Sequence, residues 1–411
     1  MMNPKGGEII KLPLDVLKTI DTIESAGYQA WAVGGCVRDS LLGKVPKDYD
    51  IASSCPPFEI IRLFPRCINT GEAYGTVTVL MPSMPIEVTV FRSESGYSDS
   101  RHPDRVVPAN SIETDLSRRD FTVNAMAWHP QRGLCDPYGG QSDLKHRIVR
   151  AVGDPRARFS EDALRIIRCL RFASVLDFDI EQATLEAASS LAPTLRYISA
   201  ERINSELRRL LTGFRPELAG LIVKSGGLAH FGIDCMTQPE LLRQIPAAKT
   251  LRLAAFLYLS NIRSAECARS ALNLLRTDHR TIKEVTLLLE SIKIPLPEDI
   301  VSLKHSFRTI PPDKWGGLLT LSEVLSGEKT DRVRELLPQT EGHPWNRSML
   351  AVNGNDMASL GYRQKDTGRI LDILLDMVLR DPNLNRREEL LRIALEIKPA
   401  QNDSPDDSVK K

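Results

Sequence analysis

No stretch of this 411-residue chain approaches the run of roughly 20 apolar residues that a membrane-spanning helix needs, which excludes a helical membrane protein. Paired cysteines are missing too. The seven cysteines (36, 55, 67, 135, 169, 235 and 267) are scattered, odd in number and never form C-x-x-C. They read as free thiols, which excludes a cysteine zinc site or a disulfide framework. Charge of one sign is also lacking: 54 Lys and Arg face 53 Asp and Glu, a net +1, so bulk charge announces no polyanion partner. The first residues carry neither a charged-then-apolar leader nor an Arg/Ser-rich transit pattern, and the expected compartment is the cytoplasm. What is present is ordinary globular material, 42% hydrophobic and 26% charged, in a chain longer than one core usually organises.

The local distribution is more telling than the sums. Five arginines fall between Arg156 and Arg171 against Glu161 and Asp162, and four more between Arg196 and Arg209. RNA or a polyphosphate would want such clusters; a solvated helix face is the bland alternative. Residues 14–27 have a helical pattern, and Ala30 to Val33 form a short apolar run entering Gly34-Gly35. Val77 to Met81 and Ile86 to Phe91 are β-rich runs around a proline-bracketed turn, which predicts a hairpin. The polar stretch 93–112 reads as a mobile loop. From Ser160 strand signals almost vanish. Ser160 is expected to cap a helix with Glu161 and Asp162 in its first turn, and Ser199 to open another. The expected fold class is α+β: a head over 1–150, a helical neck over 151–215, a helical body and tail over 216–396, and a disordered polar tail over 397–411.

Gly34-Gly35-Cys36-Val37-Arg38-Asp39 is followed nine residues after Asp39 by Asp48-Tyr49-Asp50. Backbone N–H groups at the Gly-Gly turn and the Arg38 guanidinium suit phosphate oxygens, although Arg38 could instead pair with Asp39. In an extended chain residues two apart share a face, so Asp48 and Asp50 can converge on two divalent ions. Hard oxygen ligands favour Mg²⁺ over zinc. A lone D-x-D is usually just an acidic turn; the upstream Gly-Gly and Arg38 shift that balance. Glu87 alternates against Ile86, Val88 and Val90. It is a third carboxylate facing the metals, as ligand or as base for a primer hydroxyl, or equally an exposed strand glutamate.

The block Asp115 to Ala125 contains Arg118-Arg119, whose adjacent side chains project differently, so that one can reach phosphate or ribose while the other makes a structural pair. Further on, Asp162 and Arg165 are i,i+3 neighbours, and Glu161 and Arg165 are i,i+4, on an amphipathic stretch whose apolar stripe is Leu164, Ile167 and Leu170. A salt-bridged helix face is the usual meaning of that spacing. A carboxylate beside a guanidinium also offers an acceptor and a fork of donors that match the Watson–Crick edge of a base. Arg168 and Arg171 would add positive charge near a triphosphate or an RNA end.

These motifs, together with Glu201-Arg202-Ile203 and Glu206-Leu207, occur in the order found in the class II (bacterial-type) CCA-adding tRNA nucleotidyltransferase and poly(A) polymerase family, which the chain resembles strongly over residues 15–215. Asn353-Gly354-Asn355-Asp356-Met357 is similar to the family's C-terminal element. The resemblance implies a polymerase β-like head, a neck that reads the incoming base, and a helical body and tail that grip tRNA. It implies template-independent addition of CCA to a tRNA 3′ end from CTP and ATP, with Gly35, Arg38 and Arg119 on the nucleotide, Asp48 and Asp50 on metal, and Asp162 and Arg165 on the base. The segment Asn69 to Val79 is similar to the tRNA-directed members, and a long head loop containing Tyr97 to Pro103 fits ATP use. An A-adding enzyme, a poly(A) polymerase and an inactive RNA-binding protein on the same scaffold remain as alternatives. The order Asp278-His279 does not match a phosphohydrolase His-Asp dyad, and no hydrolase activity is expected.

Overall fold

The computed structural model describes residues 10–71, 75–95 and 105–397. The Tyr97–Pro103 loop, residues 72–74 and the tail beyond Ile397 lie outside the described residues. The chain divides into two compact units, 1–286 and 287–411. Residues 151–286 therefore share a unit with the sheet that precedes them.

The first unit begins with helix α1 (Leu14–Ser25), whose Val16, Ile20 and Ile23 are buried at helical spacing. Strand β1 (Ala30–Val33) is buried throughout, as its unbroken apolar run requires. Helix α2 (Gly35–Leu41) and strand β2 (Asp50–Ser53) follow, then helix α3 (Pro57–Leu63), strands β3 (Cys67–Gly71), β4 (Thr76–Leu80) and β5 (Pro85–Val90). The expected hairpin is β4–β5, antiparallel with Thr78 opposite Glu87. Strands β6 (Arg92–Ser95) and β7 (Arg105–Pro108) pair with each other, so the expected loop over 93–112 is corrected at both ends. There a backbone ladder organises residues whose apolar signal is confined to Val106 and Val107. Helix α4 (Ile112–Ser117) and strands β8 (Ala127–His129) and β9 (Gly133–Cys135) complete a seven-stranded sheet of order β3-β4-β5-β2-β1-β8-β9. Its β2–β5 pair is parallel and sets Asp50 against Glu87. One core cluster joins Trp31, Val33, Ala52, Phe91, Leu116 and Ala127, fixing α4 against the β1–β2 pair.

Helix α5 (Gly140–His146) and the short strand β10 (Ile148–Val149) lead to helix α6 (Pro155–Glu161), helix α7 (Leu164–Leu176), strand β11 (Asp179–Ile180), helix α8 (Gln182–Leu191) and helix α9 (Ala200–Leu211). The β10–β11 ladder and the Arg150–Asp143 and Arg150–Glu181 ion pairs tie these helices to the preceding segment. Ser160 is not a cap. Asp154 takes that place, accepting from Arg156 N and Ala157 N ahead of Pro155, whose missing N–H costs nothing at a first turn. The chain then breaks at Asp162 (φ −140°, ψ 105°) before α7 begins.

The second unit is helical among its described residues. Its core gathers Leu350, Val352, Met357, Ile370, Leu374, Leu375, Val378, Leu390 and Ile393. Asn353 caps the helix Gly354–Ser359 in a reciprocal box with Asp356, which explains the Asn-Gly-Asn-Asp sequence by helix initiation alone.

Candidate active site

A cavity of about 440 Å³ opens between the β1–α2 turn, the 118–124 segment, the start of α7 and α9. Its lining includes Gly34, Gly35, Arg38, Asp50, Arg119, Asp162, Arg165 and Arg168, all of them expected from the sequence. Asp48, Glu87 and Arg171 are not among the lining residues.

Gly34 ends β1 with φ +74°, and its N–H donates to Met126 O. Arg38, on α2, donates from Nε to Asp39 Oδ1 at 2.8 Å and from Nη1 to Asn124 Oδ1 at 2.6 Å. Both readings of Arg38 thus coexist: Asp39 and Asn124 fix it, and it still faces the cavity. Arg118 and Arg119 share Asp115, a fully buried carboxylate on α4, through contacts of 2.8 and 3.2 Å. The Arg119 Nε is buried without a hydrogen-bond partner among the described residues.

Asp50 opens β2. Burial pushes its carboxyl up to about 6; the neighbouring charges of Glu87 and Asp48 add to this, and Arg119 opposes it. The charges of Glu87 and Asp48, both exposed residues, thus act on the half-buried Asp50. Among the described residues no group of three or more His, Cys, Asp or Glu side chains is drawn together as a closed metal cage. Such crowding of negative charge at two hard-oxygen side chains is what a divalent cation relieves. A Mg²⁺-type ion needs only one or two protein carboxylates when phosphates and water supply the rest.

The side of the cavity facing α7 is built around Asp120. It accepts from Arg168 Nε and Nη2 at 2.9 and 2.6 Å, from Phe121 N, and from Asn124 Nδ2. Burial works against its ionised form, but the Arg168 contacts prevail and hold the carboxyl down at about 2. Arg165 donates to Glu161 at 2.5 Å and to the carbonyls of Arg158 and Arg118. Asp162 accepts from Leu164 N and, at 3.1 Å, from Arg202. The expected Asp162–Arg165 pair is thus two separately anchored groups, because the break at Asp162 takes it out of helical register.

Arg171 is buried, with Nε on Glu206 at 2.8 Å and its guanidinium 3.5 Å from the Phe172 ring centroid. Phe172 lines the cavity and also has Arg38 and Arg168 each 5.4 Å from its ring. Sequence reasoning missed Asp120, Asn124, Leu164, Phe172 and Arg202 as lining residues, and did not choose Arg118 over Arg119. The only signal for the first two was their place in the Arg-Arg-Asp-Phe-Thr-Val-Asn block.

A mixed sheet carrying an acidic edge beside an arginine-lined cavity defines a nucleotidyltransferase head. Residues 30–150 match the "Poly A polymerase head domain" model, and residues 177–231 the "Probable RNA and SrmB- binding site of polymerase A" model. The CCA-adding enzyme of Levilactobacillus brevis is 39% identical over 353 residues, 84% of this chain and 87% of that protein. That of Lactiplantibacillus plantarum is 35% identical over 93% of this chain and 96% of the relative. The Bacillus stearothermophilus CCA-adding enzyme solved with CTP superposes with a TM-score of 0.79 at 29% identity, covering 93% of this chain and 96% of that one. The chain belongs to the CCA-adding enzyme family, and it is a nucleotidyltransferase.

Proposed function

We propose that the protein adds C, C and A to the 3′ end of tRNA from CTP and ATP, without a nucleic-acid template, in the cytoplasm. The observation that carries this is the cavity in which Gly34, Arg38 and Asp50 of the head meet Asp162 and Arg165 of the neck. Groups suited to phosphate oxygens and groups suited to a base edge border one space of about 440 Å³. The names of the relatives support the added sequence, CCA.

Arg38 and Arg119 take the triphosphate oxygens, their aim set by Asp39, Asn124 and Asp115. Asp162 accepts from the exocyclic amino group of cytosine or adenine, and Arg165 donates to the adjacent ring nitrogen. Asp48 and Asp50 would hold Mg²⁺. Bound there, the ion supplies charge neutralisation at the α-phosphate and at the departing pyrophosphate. Glu87, opposite Asp50 in the sheet, takes the proton of the tRNA 3′-hydroxyl as it attacks the α-phosphate in line. Positioning and electrostatics do the work, so few reactive side chains are needed.

The test is incorporation of labelled CTP and ATP into tRNA lacking its 3′ end, with Mg²⁺ present. Both labels should enter the tRNA and neither should enter unstructured RNA. Long A tails on unstructured RNA would replace this reading by a poly(A) polymerase.

A further inference from the structure

Asp162 sits in the break between α6 and α7, where no helix holds it. Two contacts fix its carboxylate: Oδ1 accepts from Leu164 N at 3.0 Å, and Oδ2 accepts from Arg202 Nη2 at 3.1 Å. Arg202 comes from a separate helix, α9, and lines the same cavity. Its Nη1 is buried without a hydrogen-bond partner among the described residues. Arg165 is anchored by other groups, Glu161 and two backbone carbonyls. The acceptor and the donor that face the base are therefore aimed by different parts of the fold.

We propose that Arg202 is a specificity-determining positioning residue, which locks the Asp162 carboxylate toward the base and so makes the site accept an amino group and refuse a carbonyl. Cytosine and adenine present an amino donor where uracil presents a carbonyl acceptor. A carboxylate held in place bonds the first and repels the second. Without Arg202 the Oδ2 side of Asp162 has lost its tether, the carboxylate turns away, and uracil meets no fixed negative charge. The inference rests on the proposed C and A addition.

The experiment measures kcat/KM for CTP, ATP and UTP on tRNA lacking CCA, for wild type, Arg202→Ala, Arg202→Lys and Arg202→Gln, with thermal unfolding of each recorded alongside. Arg202→Ala should reduce the preference for CTP over UTP by roughly tenfold or more. Arg202→Lys, which returns a cationic donor, should restore part of it. Arg202→Gln carries the same measurement if the Ala variant is not folded. Equal loss with all three nucleotides, or unchanged preference in folded variants, overturns the role. Wild type failing to add C and A would instead overturn the proposed function itself.

Discussion

A Cβ built on Gly34 lies 2.7 Å from Arg119 Nη1. The turn and the arginine occupy each other's space, so the close approach of guanidinium to backbone depends on the missing side chain. The positive φ of +74° at Gly34 adds to the demand for glycine. Gly34→Ala should cost roughly 1 kcal/mol or more in stability from backbone strain. By displacing Arg119 it should also lower kcat/KM for both nucleotides between about tenfold and a hundredfold. Steady-state kinetics and thermal unfolding of the variant check both effects.

Asp120 is the hinge of the neck-side network. Removing it in Asp120→Ala leaves Arg168 facing Glu206 only at 3.7 Å and should cost roughly 3–5 kcal/mol. Its folded pKa, about 2, lies below the ordinary value of 3.8. A depressed carboxylate pKa gives stability that is full above the unfolded value and is lost as the pH falls through the folded one. The advantage of wild type over Asp120→Asn should therefore be full above about pH 4 and shrink toward pH 2. Urea unfolding from pH 3 to 7 measures it.

Asp50 has the opposite sign. Its pKa is raised to about 6, so the metal-free protein loses stability as the pH rises through 6 and the carboxyl ionises against Glu87 and Asp48. Asp50→Asn should melt higher than wild type at pH 8 without metal, by less at pH 5, and no higher below about pH 4. Mg²⁺ should raise the melting temperature of wild type more at pH 8 than at pH 5, and that of Asp50→Asn at neither.

Arg171 separates structural from nucleotide-binding roles. Its partner is buried Glu206, and it lies outside the cavity lining. Glu206→Ala should strand Arg171 and cost roughly 3–5 kcal/mol. At a temperature where the variant stays folded, its KM for CTP should remain within about twofold of wild type. A large KM increase without destabilisation would place Arg171 on the nucleotide.

Much of this arrangement was legible in the chain. The Ala30–Val33 strand is as short and apolar as its full burial demands, and the alternation around Glu87 set its exposed side correctly. Period-2 and Gly-Gly signals are local, so they survive reading without a structure. What was lost was tertiary. Ser160 looked like a cap, but Asp154 ahead of Pro155 won the helix start and pushed Asp162 into a break. The i,i+3 spacing then ceased to mean a pair, and the partner of Asp162 came from 40 residues away. Phe172 read as one apolar residue among many; only the fold surrounds it with Arg38, Arg168 and Arg171.

The most direct measurement is the mass of the 3′-terminal fragment of a tRNA lacking CCA after reaction with the purified protein. With CTP alone the fragment should gain two cytidylates. With CTP and ATP together it should gain two cytidylates and one adenylate, and then stop. Addition of a single adenylate only to tRNA already ending in CC, or an A tail of no fixed length, would contradict CCA synthesis by this chain.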